Sequence, residues 1–464
     1  MVEPSIILMA KSSVSKQAEH FEVVHPHAAG IDTGKDFFDV CARQGEVKRF
    51  GTYTEELEEI VAYLREEQVQ SVAIESTGPY WKNLFVLLQA EGFEVYLINP
   101  SYAKNVRNRK SDRVNAQWLR KLHSCGLLPN SFQPGPLSEQ LRSLNRHRQH
   151  LLEGASRALN QVNKCLVLLN LRLDRILSTT GSKSGQRLIE AIIDGERDPN
   201  QLVLLLDKRV KTPREECLKA LKGIWREETL FELKQCYELY HFQRQQMRNC
   251  EAQIQQLLEP HLEQLRQQAD APEDFKPAKK KYSQPNDPQF DLFEPAYLLS
   301  GGVDLSPVVG VGLTTVLTLL AEVGVDDLKR HFPSAKKFAA WLCLAPNKKI
   351  SGGKVLSSKV PKNRNPLRKV LLSAANTVGR SKEPSALRSF FHKKLRKGGR
   401  KLAIMATARK LAIIIYLMLT RGEAYRPMPP EDEQLRQRQQ ALKRAQRTIK
   451  QFGLTPEEVQ LAFQ

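Results

Sequence analysis

The chain has no Cys-x-x-Cys pair. Its seven cysteines (Cys41, Cys125, Cys165, Cys217, Cys236, Cys250 and Cys343) are scattered. That spacing suggests neither a zinc site nor a disulfide framework, and points to reduced, mostly core thiols in a cytosolic protein. No apolar run reaches the roughly 18 residues of a membrane span, so none is expected. The run Ile6-Ile7-Leu8-Met9-Ala10 is too short for a signal-peptide core, and residues 1–26 read as a loose extension. Acid is also scarce. Asp and Glu number 51 against 71 Lys and Arg, which leaves a net charge of +20 and a pI near 9.6. A deficit of that size points to a polyanion partner, with nucleic acid foremost. It is most extreme from Lys348 to Lys410, where 19 Lys and Arg face a single acid, Glu383. A merely solvated face mixes its signs, so this density favours a phosphate-binding surface.

What is present is enough for several domains. A length of 464 residues predicts two to four, and an apolar fraction of 41% supplies ordinary cores. The expected boundaries are 1–26, 27–130, 131–265, 266–298, 299–426 and 427–464.

Residues 27–130 alternate strand and helix. Ala28–Ile31 and Phe37–Ala42 are predicted strands joined by a turn at Asp32–Lys35, with Val47–Tyr53 a third strand. Thr54 is placed to cap a helix that carries the apolar stripe Leu57, Ile60, Val61 and Leu64. A strand at Ser71–Glu75, a helix at Pro79–Glu91, a strand at Glu94–Ile98 and a helix from Ser111 to His123 follow. The order β-β-β-α-β-α-β-α is that of the α/β ribonuclease-H-like fold. Sugar kinases and actin-like ATPases share that core. The chain lacks their second phosphate-binding Asp-Gly turn and is far too basic.

Within this unit Asp32 and Glu75 each end an apolar strand, and Asp112 opens a helix. Positions 112 and 115 lie one turn apart on one face. Carboxylates gathered in this way are what a divalent-metal phosphodiester site needs, because hard cations take oxygen ligands. Each acid also has an ordinary explanation. Asp caps turns, acids at strand ends are solvated, and Asp favours helix starts. The joint pattern is harder to dismiss.

Residues 137–177 place Leu137, Leu141, Leu144, Leu151, Ala155, Val162, Leu166, Leu169, Leu173 and Ile176 at mostly three-four spacing. A long helix with a coiled-coil seam is predicted. A second seam runs through Leu233, Cys236, Tyr240, Met247, Cys250, Ile254 and Leu257, with Gln243 at one seam position. The partner of either seam is open: each other, or another protomer. Residues 267–296 are Pro-rich and carry Lys279-Lys280-Lys281 among aromatics, as in a linker or insertion. A mainly helical C-terminal unit follows. Its Gly310-Val311-Gly312 turn either feeds a phosphate to a helix N-terminus or serves tight packing. Ser351, before Gly352-Gly353, is either a turn serine or a nucleophile on a bare loop. In the second case Lys348, Lys349 and Lys354 would offset phosphoryl charge. Lys359, Lys362, Arg364 and Arg368, with Lys104, Arg109 and Lys110 in the first half, are further candidate nucleic-acid contacts. Residues 427–464 read as a helical appendage with a capping box at Thr455.

Taken together, these pieces resemble the DEDD transposases of bacterial insertion sequences of the 110 and 1111 families. The matching segments in the first half are Gly30-Ile31-Asp32-x-Gly34-Lys35, Glu75-Ser76-Thr77-Gly78-x-Tyr80-Trp81, Asn99-Pro100 and Arg109-Lys110-Ser111-Asp112. In the second half they are Val309-Gly310-Val311-Gly312, Leu320-Ala321-Glu322-Val323-Gly324, the segment from Phe338 to Pro346, and Ser351-Gly352-Gly353. The resemblance covers about residues 27–425. It implies a RuvC-like N-terminal domain, an α-helical coiled-coil middle and a mainly α C-terminal transposase domain with a catalytic serine. It also implies Mg²⁺ and strand exchange through a phosphoserine. Its implied partners are double-stranded donor and target DNA and an element-encoded guide RNA. The implied assembly is a homo-oligomer, a tetramer built from dimers with composite sites, in the bacterial cytoplasm and away from any membrane. Carried over residue by residue, Asp32, Glu75 and Asp112 match three acids, and Ser351 matches the nucleophile.

Position 115 departs from that family, which has its fourth acid there. Asn115 offers a carbonyl oxygen but no charge and no basic site. The nearby Gln117, Trp118 and Leu119 supply no spare carboxylate. Reduced or abolished cleavage, with DNA and RNA binding kept, is therefore expected. A RuvC-like hydrolytic junction nuclease that does not need Ser351, and a disarmed DNA- and RNA-binding protein, are the alternatives.

Overall fold

The computed structural model describes residues 22–43, 45–100, 112–268, 286–347, 349–361, 365–427 and 430–453. The chain divides into two compact units, residues 1–133 and 134–464.

The first unit is built on a five-stranded sheet. The strands are β1 (Ala28–Thr33), β2 (Phe38–Cys41), β3 (Val47–Phe50), β4 (Ser71–Glu75) and β5 (Glu94–Ile98), in the order β3-β2-β1-β4-β5. The first three are antiparallel neighbours, and β1, β4 and β5 run parallel. Helix α1 (Thr54–Glu66) follows β3, α2 (Trp81–Ala90) follows β4, and α3 (Asp112–Ser124) follows β5. Ile31, Val40, Val72, Ile74 and Leu97 from the sheet pack with Ile60, Leu64, Leu84 and Leu88 on one face. Ala73 and Ile98 pack with Leu119 of α3 on the other. Gly30 is what lets α3 sit so close. A Cβ there would lie 2.3 Å from the Arg120 nitrogen and 2.4 Å from the Ala116 oxygen.

Two local expectations need correction. Asp32 is not a turn residue. The strand runs on to Thr33 because Thr33 pairs with Phe38 and its hydroxyl donates to the Glu75 carbonyl at 3.0 Å. Nor does Thr54 cap α1. Tyr53 holds the cap position, and its N–H donates to the Glu56 carboxylate at 2.9 Å.

The second unit starts with α4 (Pro136–Leu168). It continues with α5 (Lys183–Ile193) and several short helical turns to α6 (Glu227–Gln268). Helices α4 and α6 pack along each other. Arg148 meets Glu251, Leu144 meets Cys250 and Gln161 meets Glu232, so the two helices are antiparallel. The two apolar stripes thus cover one another within the chain. Helix α4 is shorter than the 137–177 periodicity predicts. It ends at Leu168, and Asn170 takes a left-handed φ of 56° that turns the chain back. Charge sits inside this interface. The Arg148 Nε donates to Glu251 at 2.7 Å with both side chains buried, and its Nη2 donates to the Asn286 carbonyl at 2.8 Å. Gly154 leaves room for Gln243, whose amide would lie 2.7 Å from an added Cβ.

Helix α7 (Leu313–Glu322) packs on α4. Its buried Glu322 accepts two 2.9 Å hydrogen bonds from Arg146, and Arg142 donates to its carbonyl at 2.7 Å. Helix α8 (Ala335–Trp341), the hairpin β6 (Lys349–Ser351) and β7 (Lys354–Ser357), α9 (Pro366–Arg380) and α10 (Ala386–Arg421) follow. Among the described residues α10 is the one helix long and apolar enough to cross a membrane. Half of its apolar stretch is buried inside the unit, as in a core helix, where it packs on α9 and α8. Gly398 and Gly399 break its helical geometry. A final helix, α11, spans Pro430–Phe452. Of the seven free cysteines, Cys41, Cys165, Cys217 and Cys250 are buried, and burial raises the thiol pKa of each. The Lys279–Lys281 run and the Thr455 capping box lie outside the described residues.

Candidate active site

The parallel pairing of Ile31 with Ile74 puts Asp32 and Glu75 side by side where β1 and β4 end. Both point to the face that α3 covers, because alternation along the strands sets them with Gly30 and Ala73. Glu75 is 7% exposed, and Thr77 donates its hydroxyl to Glu75 Oε1 at 3.3 Å. Helix α3 brings Asn115 to the same place, where its Nδ2 donates to Asp32 Oδ2 at 3.0 Å. Asp112 opens α3 one turn earlier, and its side chain lies outside the described residues.

Two adjacent carboxylates offer oxygen donors of the kind a hard divalent cation takes. Among the described residues no group of three or more His, Cys, Asp or Glu side chains gathers. Asn115 bears on this directly. Its amide nitrogen faces Asp32 and donates to one carboxylate oxygen.

The acid face holds one carboxylate that strand-end reasoning missed. Asp39 of β2 sits opposite Asp32, and Arg49 of β3 sits opposite Asp39. The Asp39 side chain is fully buried, and Arg49 grips it with two 2.8 Å hydrogen bonds. Period-two alternation from the turn would have placed Asp39 on this face.

Ser351 lies in the second unit, at the end of β6 rather than on a bare loop. It pairs with Lys354 across Gly352 and Gly353, whose φ values of 54° and 74° both lie in the left-handed region. That is the two-residue hairpin turn that glycine favours. Ser351 and Lys354 are exposed. Ile350, Val355 and Leu356 on the same hairpin are 59%, 57% and 69% exposed. Lys359 is exposed, and its carbonyl accepts the Asn347 N–H at 3.1 Å, which closes the hairpin base. Arg368 is half-buried in the first turn of α9, and Lys349 opens β6. Lys104, Arg109, Lys110, Lys348, Lys362 and Arg364 lie outside the described residues. Gly310 serves packing: its φ is 87°, and a Cβ there would lie 2.7 Å from the Ala374 carbonyl of α9.

Comparison with known proteins falls on the same segments. A transposase family model of the DEDD, IS110 type matches residues 29–170. A second, described as a transposase of the IS116/IS110/IS902 family, matches residues 304–392. The transposase for insertion sequence element IS1111A of Coxiella burnetii (strain RSA 493 / Nine Mile phase I) is 24% identical over 405 residues, covering 86% of this chain and 90% of that protein. A DEDD-type domain suggests a divalent-metal requirement, and transposases act on DNA. The acid face falls inside the first matched segment and the serine hairpin inside the second, and together these similarities support a transposase of the IS110/IS1111 type.

Proposed function

We propose that this transposase cuts and exchanges DNA strands through a phosphoserine on Ser351. The observation that carries the reading is the acid face, where Asp32 and Glu75 end neighbouring parallel strands and Asn115 closes on Asp32. In this step Ser351 Oγ bonds to phosphorus, and the bond from phosphorus to one deoxyribose oxygen breaks. The hydroxyl proton passes to a base, and a proton returns to the leaving oxygen. Mg²⁺, held by Asp32, Glu75 and Asp112 with Asn115 beside them, would supply charge stabilisation at the phosphate. Lys354 sits across the turn from Ser351, and Lys359 and Arg368 extend the basic surface on which the backbone lies.

We read the five-stranded sheet as ribonuclease-H-like and RuvC-like, and α4 with α6 as the coiled-coil middle domain. An element-encoded RNA guides the choice of donor and target DNA. The working form is a tetramer built from dimers, in which the acids of one protomer meet the serine of another, in the bacterial cytoplasm.

The test is a denaturing gel with junction DNA, the element's RNA and Mg²⁺, run on this chain and on Asn115→Asp. A covalent protein–DNA adduct that disappears with Ser351→Ala is the expected result. Free cut ends without any adduct from either chain would replace this reading with a hydrolytic RuvC-like nuclease. An adduct from Asn115→Asp alone would make the present chain a disarmed form that keeps its DNA and RNA binding.

A further inference from the structure

We infer that Tyr53 and Tyr80 are stacking platforms for unpaired DNA bases, one on either side of the phosphodiester held at the acid face. The inference rests on reading Asp32 and Glu75 as the acid site. Register places both tyrosines at that end of the sheet. Thr33, Phe38 and Phe50 lie in one transverse row, so β3 ends where β1 ends. Tyr53 follows three residues after Phe50, and Tyr80 follows five after Glu75. In the order β3-β2-β1-β4-β5, the strand leading to Tyr53 lies two places to one side of that of Asp32, about 10 Å at ordinary strand spacing. On the other side, Ser76 donates its N–H and its hydroxyl to the Ile98 carbonyl at 2.9 and 3.0 Å, which leads the Tyr80 loop away from β4 toward β5.

The placement of aromatic side chains is what points to a ligand. Among the described residues no tryptophan is exposed, and the two exposed tyrosines are Tyr53, at 76%, and Tyr80, at 40%. Both stand at the acid end. Each ring hangs from ordered backbone. The Tyr53 N–H is tied to Glu56 at 2.9 Å. Gly78 takes a left-handed φ of 56°, and a Cβ there would lie 3.2 Å from the Tyr80 ring, so the bare turn lets that ring settle against it. Trp81 then locks the turn, donating its Nε1 to the Gly78 carbonyl at 3.0 Å while its ring stands edge-on to the buried Phe85. A tyrosine has two side-chain torsions and loses little freedom on making a contact, and its flat ring matches the π-face that every base carries. Paired bases in a duplex have their faces covered by their neighbours, so the ligand is an unpaired base. Because the acids act on a DNA phosphodiester, the bases beside it belong to the same DNA strand.

The experiment uses the full chain and a linear duplex carrying an element end, either fully paired or with a short mismatched bubble at the cleavage position. Binding is followed by fluorescence anisotropy across a salt series without metal, so the result does not depend on activity. The parent should prefer the bubble, whose bases are already unpaired. Tyr80→Leu and Tyr53→Leu should each bind the bubble about tenfold more weakly, the share of one stacked base. The slope of log affinity against log salt should stay unchanged, because a ring neutralises no phosphate. Tyr80→Phe and Tyr53→Phe keep the ring and should bind as the parent does. Iododeoxyuridine, which photocrosslinks to a stacked aromatic ring, is then placed at single positions in the bubble. It should mark the Tyr80 peptide on one side of the cleavage position and the Tyr53 peptide on the other, and each leucine variant should lose its own crosslink alone. Melting curves identify any variant that fails to fold. Parent-like affinity in the folded leucine variants, or crosslinks at neither tyrosine, would overturn the inference. So would crosslinks that form only when the label is carried by the element's RNA. If Asp32→Ala with Glu75→Ala left cleavage intact, the acid-site reading would fail, and the crosslinks would still decide whether the two rings stack on DNA.

Discussion

Asn115→Asp puts a second full charge against Asp32, and its effect follows from the geometry. The Asn115 nitrogen lies 3.0 Å from the Asp32 oxygen. Two negative charges at about that distance repel by about 5 kcal/mol at an effective dielectric constant near 20. The new side chain turns away, and both positions are partly open to water, so roughly 1–2 kcal/mol of repulsion remains. Loss of the amide hydrogen bond adds about 1 kcal/mol. For a unit of this size each kcal/mol moves the midpoint by about 4 °C. Without metal, the variant's first unit should melt about 10 °C below the parent. A divalent ion reverses the sign, because it is attracted to the added charge, and saturation at about 100 times Kd contributes about 2.7 kcal/mol. The assay is thermal unfolding of both chains in chelator and in millimolar Mg²⁺ or Mn²⁺. The variant should recover most of the deficit, and the parent should respond by less than half as much. Equal midpoints for the two chains with and without metal would refute the reasoning.

Other consequences are open to simple tests. Burial beside His25 pushes the His123 pKa down from 6.5 to about 4, with Ser71 bonded to its Nε2 at 2.7 Å. The unfolded chain binds that proton first, so stability is full above about pH 6.5 and falls as pH drops toward 4, by up to about 3 kcal/mol. His123→Gln should flatten that pH dependence, and an unaltered melting profile would contradict the assignment. Glu251→Gln strands the buried Arg148 and should cost about 3–5 kcal/mol by chemical denaturation, whereas joint replacement by Arg148→Met and Glu251→Leu should cost far less. A double variant as weak as the single one would show that the pair is not the source. Gly30→Ala forces α3 off β1 and should cost several kcal/mol and break the contact between Asn115 and Asp32. A crystal structure of a stable variant with α3 unmoved would count against that packing role.

The residues announced their places unevenly. Ser71–Glu75 and Glu94–Ile98 are apolar runs between turns, and the strands match those runs residue for residue. Asp32 looked like a turn because Gly34 follows it, yet strand pairing outweighed local preference. The seams of α4 and α6 were legible from their period. Their ends and contents were not, since a left-handed Asn170 stops one helix and the charged Arg148 and Glu251 occupy interior positions. Position 115 was legible as the missing acid, but its amide's hydrogen bond to Asp32 required coordinates. Asp39 and Arg49 lie inside predicted strands but end neither, and the register of β1, β2 and β3 is what puts them beside the acids.

The serine hairpin has a physical consequence for how the protein behaves at high concentration. Among the described residues this two-stranded ribbon pairs with no further strand, and it displays Ile350, Val355 and Leu356 to water. A ribbon edge beside exposed apolar side chains is a template for strand addition by another copy. Lys354 and Lys359 flank those side chains and act as gatekeepers, keeping ribbons apart by like-charge repulsion. Salt shortens the reach of that repulsion, so colloidal stability of the free protein falls as ionic strength rises.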